Sequence, residues 1–236
     1  MSHIAERLQE VRSRLREAAA KAQRAAESVD LLAVTKTFSS DDVREAVAAG
    51  QLRFGENYVQ EALAKIEALQ DVVGIEWHLI GALQSNKCAL VARHFDWVHT
   101  IDRQKIAARL ASARPDDARP LCVCIQVNIS GETTKSGVAP DAALSLAKAV
   151  AALPRLRCRG FMGIADPLAD DATIRSQFRS LRALLDDARS AGLDMDTLSM
   201  GMTADFAAAI AEGATIVRLG SAIFGARARK AMEATA

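Results

Sequence analysis

Four places in the sequence carry side chains suited to holding or attacking a small molecule. The first is Lys36, which closes the apolar run Leu31-Leu32-Ala33-Val34-Thr35. If that run is a strand, alternation puts Leu32, Val34 and Lys36 on one face. An ammonium sharing a face with two core aliphatics is costly to bury unless it is paired or loses its charge. A neutral lysine amine is a nucleophile toward carbonyl carbon. Taken alone, a lysine at a strand end ordinarily extends its ammonium into water. The second place is Asn57, in Gly55-Glu56-Asn57-Tyr58, and the third is Ser199-Met200-Gly201. The fourth is Arg218-Leu219-Gly220-Ser221. There Gly permits close approach, Ser adds a hydroxyl, and a following helix start offers N–H groups to an anion. An ordinary Gly-Ser helix cap has the same appearance. Arg218 shares a face with Ile216, and a buried Arg usually pairs with an acid.

These residues fall at the ends of short β-rich runs. The pattern predicts strands over 31–35, 52–54, 75–80, 97–101, 121–129, 158–162, 197–200 and 215–219. Ile4, Leu8, Val11, Leu15 and Ala19 recur at helical spacing and predict a long amphipathic helix over 4–27. Further helices are predicted from Ser39-Ser40-Asp41-Asp42 to Gly50, from Tyr58 to about Leu69, over 103–113, 141–153 and 170–190, and up to Ala211. Strict alternation of strand and helix implies parallel strands with right-handed crossovers. Eight units in about 200 residues fit a (β/α)8 TIM barrel better than an open sheet, and no GxGxxG turn argues for a dinucleotide fold. No linker or repeat divides the chain, so residues 1–236 are expected to form a single domain.

Composition narrows the classes further. Half of the 236 residues are hydrophobic, and 30 basic against 29 acidic residues give a formal charge of +1. That balance gives no nucleic-acid footprint. No apolar run approaches the roughly 18 residues of a membrane span, and residues 1–27 lack a signal-peptide core, so a cytoplasmic protein is expected. Cys88, Cys122, Cys124 and Cys158 form no CxxC, and the four histidines show no ligand spacing with them. The cysteines read as small core residues, and no metal site is expected. His78 reads as a satisfied histidine inside the third strand. Lys135 reads as a solvated residue in the polar loop after the fifth.

The functional face of such a barrel lies at the C-terminal ends of its strands. Lys36, Asn57, Ser199 and the segment from Arg218 to Ser221 all fall there. An amine, an anion cup and a guanidinium around one mouth suit a ligand with an aldehyde, a phosphate and an aromatic ring atom. Pyridoxal 5′-phosphate has all three. The same residues also suit a Schiff-base aldolase in which Lys36 attacks a sugar-phosphate carbonyl, or a small pyridoxal phosphate racemase.

The segments AVTKT, FGENYVQE, WHLIGALQSNK, VNISGETTKSGV and SMGMTADFAAAIAEGATIVRLGSAIFGAR resemble, in order and through nearly the whole chain, motifs of the YggS/PROSC family, the pyridoxal phosphate homeostasis proteins. Ala82 stands where that family often has Pro, and GFMGIADP is a loose version of its sixth-strand motif. The resemblance implies a barrel like the N-terminal domain of alanine racemase (fold-type III) holding the cofactor as a Schiff base on Lys36. It implies Asn57 beside the cofactor, Ser199, Met200, Gly220 and Ser221 around the phosphate, and Arg218 facing the pyridine nitrogen. It also implies storage, buffering or delivery of the cofactor, with apo-enzymes that need it as partners, rather than catalysis. The racemase takes a second catalytic base, a tyrosine, from an additional domain. Tyr58 is the one tyrosine here, so a monomer without robust turnover is expected.

Overall fold

A computed structural model describes residues 3–132 and 136–225; Lys135 lies outside them. The strands are β1 (Asp30–Val34), β2 (Arg53–Glu56), β3 (Glu76–Leu79), β4 (Trp97–Ile101), β5 (Leu121–Val127), β6 (Leu156–Gly163), β7 (Thr197–Ser199) and β8 (Ile216–Leu219). They form a closed parallel barrel in chain order, as the alternation predicts. Closure pairs the first strand with the last, with Leu32 opposite Arg218 and Ala33 opposite Leu219. Two of the chemically able residues, Lys36 and Arg218, are thereby carried on neighbouring strands.

The outer layer comprises α1 (His3–Lys21), α2 (Ser40–Ala48), α3 (Val59–Ala68), α4 (Cys88–His94), α5 (Gln104–Ala113), α6 (Pro140–Ala151), α7 (Asp171–Ser190), α8 (Phe206–Ala211) and α9 (Ser221–Phe224). α9 has only four residues, too few to cover its sector. α1 fills the space, burying Ile4, Leu8, Val11, Leu15 and Ala19 against α2, α8 and α9. It stops at Lys21 rather than running to residue 27. Gln23 adopts a left-handed φ of 55°, and Arg24 N–H donates to Ala19 O at 2.9 Å, a helix stop normally signalled by glycine. Arg24 then anchors the chain through Ile210 O at 2.8 Å.

The second strand extends two residues beyond its expected end. Gly55, just past that expected end, faces the barrel interior: a Cβ there would lie 3.1 Å from Leu32 Cδ2 and 3.2 Å from Ile80 Cδ1. Glycine in a strand here marks close approach, not termination. Between barrel and helices, Phe54, Phe95, Phe161 and Phe178 are fully buried, each contributing about 1.5–3 kcal/mol. Cys124 and Cys158 are free, buried thiols; burial pushes Cys158 up to about 12. Among the described residues no helix is long and apolar enough to cross a membrane.

Candidate functional site

A cleft of about 360 Å³ opens at the C-terminal ends of the strands, and Lys36, Asn57, Arg218, Gly220 and Ser221 stand on its wall with Val34 and Ile80. Five of the seven residues singled out in the sequence thus converge. Ser199 and Met200 are fully buried beneath. Met200 N–H is spent on Ile216 O at 3.1 Å. Gly201, at φ +94°, turns the chain so that Met202, Thr203 and Ala204 reach the cleft instead. A larger groove of about 580 Å³ lies at the strands' N-terminal ends. On its wall Arg53 is already paired, at 2.6 Å from Asp30 and 3.4 Å from Glu76.

The backbone of Lys36 is clamped from outside the barrel. Phe38 N–H donates to Thr35 O at 3.0 Å, and Thr37 between them has φ 70°. A β-branched residue in that region is strained by about 1–3 kcal/mol. The turn is held by a buried ionic cluster. Lys65 Nζ donates to Thr35 O at 2.6 Å and to Glu56 Oε1 and Glu61 Oε1 at 2.7 Å each. Thr35 Oγ1 donates to Glu56 Oε1 at 2.7 Å, and Glu61 accepts the Thr37 N–H. Burial pushes the Glu56 carboxyl up, while Lys65 and Thr35 oppose that. Sequence reasoning misses this cluster. The available signal is Lys65 itself, a lysine on the Val59-Ala62-Lys65 buried stripe of α3.

Asn57 follows β2 and is pressed by the loop after β3. A Cβ at Gly81 would fall 2.1 Å from Asn57 O, so the glycine of the WHLIGALQSNK segment is what lets that loop lie against it. Asn57 Oδ1 is buried with no hydrogen-bond partner among the described residues, an acceptor whose capacity is unmet. At Gly220 a Cβ would lie 2.9 Å from Val34 O. Arg218 is 5% exposed. It donates from Nη1 to Ser199 Oγ at 2.8 Å and from Nη2 to Gly163 O at 3.0 Å. Its partners are a hydroxyl and a carbonyl rather than the carboxylate a buried Arg usually has. Burial pushes the guanidinium down to about 10, still protonated at neutral pH.

An amine, a buried acceptor without a partner, space kept clear by Gly220 and a cation on one wall fit pyridoxal 5′-phosphate in size and chemistry. They also define a class of barrel. The family described as alanine racemase, N-terminal domain, matches residues 7–228. The chain belongs to that family and, within it, to the pyridoxal phosphate homeostasis proteins. It is 54% identical over 227 residues to the pyridoxal phosphate homeostasis protein of Pseudomonas aeruginosa, covering 96% of this chain and 97% of that one. It is 49% identical over 229 residues to the protein of the same name from Escherichia coli K12, covering 96% and 98%. Among solved structures it resembles PipY of Synechococcus elongatus PCC7942 with PLP bound. The TM-score is 0.83 at 36% identity, over 94% of this chain and 100% of that one.

Proposed function

We propose that this protein binds pyridoxal 5′-phosphate in the C-terminal cleft of its barrel and serves intracellular homeostasis of that cofactor, by storing, buffering or handing it on. The observation that carries the reading is the convergence of Lys36, Asn57, Arg218 and Gly220 on one cleft. The cofactor supplies an aldehyde that condenses with a primary amine, releasing water, together with a ring that absorbs near-ultraviolet and visible light. In this reading Lys36 provides the amine and Asn57 Oδ1 accepts a hydrogen bond beside it. Arg218 presents its charge to the ring, and Gly220 and Ser221 receive the phosphate. Ser199 and Met200 support that end of the cleft from below, Ser199 through Arg218.

Catalysis on amino acids needs a second acid or base facing the first. Among the described residues the only ionisable side chains lining the cleft are Lys36 and Arg218. Tyr58 is 59% exposed and is not on the wall. The proposal extends to residues 1–236 as a single domain, to a cytoplasmic monomer, and to apo-enzymes as recipients.

The test is reconstitution with the cofactor, borohydride reduction and peptide mapping. The wild type should turn yellow and carry the label on Lys36, and Lys36→Ala should carry none there. The loaded protein should give no steady turnover across a panel of D- and L-amino acids. Label on another lysine would sink the site assignment, and turnover lost in Lys36→Ala would make the protein an enzyme.

A further inference from the structure

Arg218 is the top of a hydrogen-bonded column that crosses the barrel. Ser199 Oγ, which accepts from Arg218 Nη1, lies 2.7 Å from His99 Nδ1. His99 Nε2 lies 2.9 Å from His78 Nδ1, and His78 Nε2 lies 2.7 Å from Glu76 Oε1. β4 and β7 are not neighbours in the sheet, so the contact between His99 and Ser199 spans the lumen. Barrel interiors are ordinarily filled with branched aliphatics. Here His78, His99, Ser199 and Arg218 are all buried, and Trp97 stacks on His78 with ring planes 6° apart.

With both imidazoles neutral, as their burial favours, counting protons fixes the direction of every bond. The Glu76 carboxylate only accepts, so His78 carries its hydrogen on Nε2 and accepts on Nδ1. His99 then donates from Nε2 and accepts on Nδ1, which takes the Ser199 hydroxyl hydrogen. That leaves Ser199 Oγ free to accept from Arg218. All donors point from the guanidinium toward the carboxylate, with both rings neutral and no polar atom of the column wasted. Burial pushes both histidines below their usual value, and for His99 the charge of Arg218 acts the same way. Around the lower end, Arg53 pairs with Glu76. Asp96 accepts Trp77 N–H nearby, and the Arg159 guanidinium lies 5.0 Å from the Trp97 ring centroid.

We infer that Glu76, His78, His99 and Ser199 are positioning residues: they form a polarised column that fixes the orientation of the Arg218 guanidinium at the floor of the cofactor cleft. A cation at one end and an anion at the other orient the intervening dipoles cooperatively. Loss of a middle link strands the Ser199 hydroxyl and leaves the Arg218 guanidinium fixed from one side only, through Gly163 O. The part of this that concerns the bound ring rests on the cofactor reading above, whereas the column itself does not.

Two measurements separate the two. In the cofactor-free protein, nitrogen-15 imidazole spectra should show His78 and His99 as neutral Nε2–H tautomers at pH 7, and Arg218→Gln should shift the His99 Nδ1 resonance. An Nδ1–H tautomer or a charged ring at either position overturns the column. In the loaded protein, His99→Phe should keep the reducible attachment at Lys36 but shift the absorption maximum and weaken retention about tenfold, as the loss of one buried hydrogen bond predicts. Thr100→Val is the control. It removes the buried bond from Thr100 Oγ1 to Gly81 O and should move the melting temperature while leaving the band in place. An unchanged band and affinity in His99→Phe would reduce the histidines to packing. If that variant does not fold, Ser199→Ala makes the same test with a smaller change. Absence of any attachment in the wild type would defeat the cofactor reading and leave the tautomer result standing.

Discussion

Lys65 Nζ lies 2.6 Å from the carbonyl oxygen of Thr35, the residue immediately before Lys36. An ammonium on the outside of the barrel, 5% exposed, therefore sets where the inward-facing lysine begins. Removing one partner of a buried ion pair leaves the other charge uncompensated, at a cost of about 3–5 kcal/mol. Lys65→Met should lose that much. With Lys65 gone, nothing but Thr35 opposes the upward shift of Glu56. A carboxyl whose folded pKa is raised gives stability at low pH that is lost as pH rises through that value. The loss should thus be larger at pH 8 than at pH 5, in urea unfolding at the two pH values. Equal losses would show that Glu56 is not the group left stranded.

The buried histidines make the opposite prediction. His78 and His99 are held below their usual value, whereas in the unfolded chain they titrate near 6.5. A depressed folded pKa gives stability that is present above the unfolded value and lost as pH falls through it. Between 6.5 and its lower folded value, neutral buried His99 should therefore remove stability at no more than about 1.4 kcal/mol per pH unit. Stability measured at pH 7, 6 and 5 should fall more gently in His99→Phe than in the wild type. An identical slope would mean that His99 contributes no proton uptake on unfolding.

Gly220 is predicted to tolerate no side chain. The added Cβ of Gly220→Ala would meet Val34 O at 2.9 Å and Val34 Cβ at 3.3 Å, on a strand that cannot easily retreat. Overpacking of that kind costs about 1–3 kcal/mol. Cofactor retention should drop at least about tenfold as the two strand ends are pushed apart. Wild-type retention in a normally folded Gly220→Ala protein would remove this residue from the site.

The phosphate should supply much of the affinity. Hydrogen bonds to a charged group are worth roughly 1.5–3 kcal/mol each, so two of them account for about a hundredfold. Pyridoxal lacking its phosphate should bind weaker by at least that factor in equilibrium titration. Comparable affinity for the two forms would leave Gly220 and Ser221 without a ligand.

Much of the barrel and its cleft is legible in residue order because each strand can be read independently. Period-two alternation alone places Lys36 with Val34, and Arg218 with Ile216. The hydrophobic stripe of α1 is equally plain, but its end is not. The stop falls on Gln23 in a left-handed conformation, where no glycine or proline announces it. Alternation is also blind to the lumen. It says that His99 and Ser199 point inward, but not that strands four and seven face each other closely enough for the two to bond. The loop after β7 escapes the pattern for a related reason. Its backbone reverses at Gly201, so the residues on the cleft are 202–204 rather than 199–200. Lys65 passes for an ordinary helix lysine four residues from Glu61, because its burial depends on how α3 seats on β2.

The barrel closes by joining the chain's first strand to its last, and α1 rests on α8 and α9. During synthesis, then, Lys36 emerges early on a strand with one edge unpaired, beside a helix that has only α2 to lie against. It must wait for Arg218 and Ser221 to be made. Contacts this distant in sequence are slow to form and leave sticky surface in the interval. The cleft is assembled by the same event that seals the barrel, so a nascent chain stalled before β8 should carry its lysine without being able to retain the cofactor.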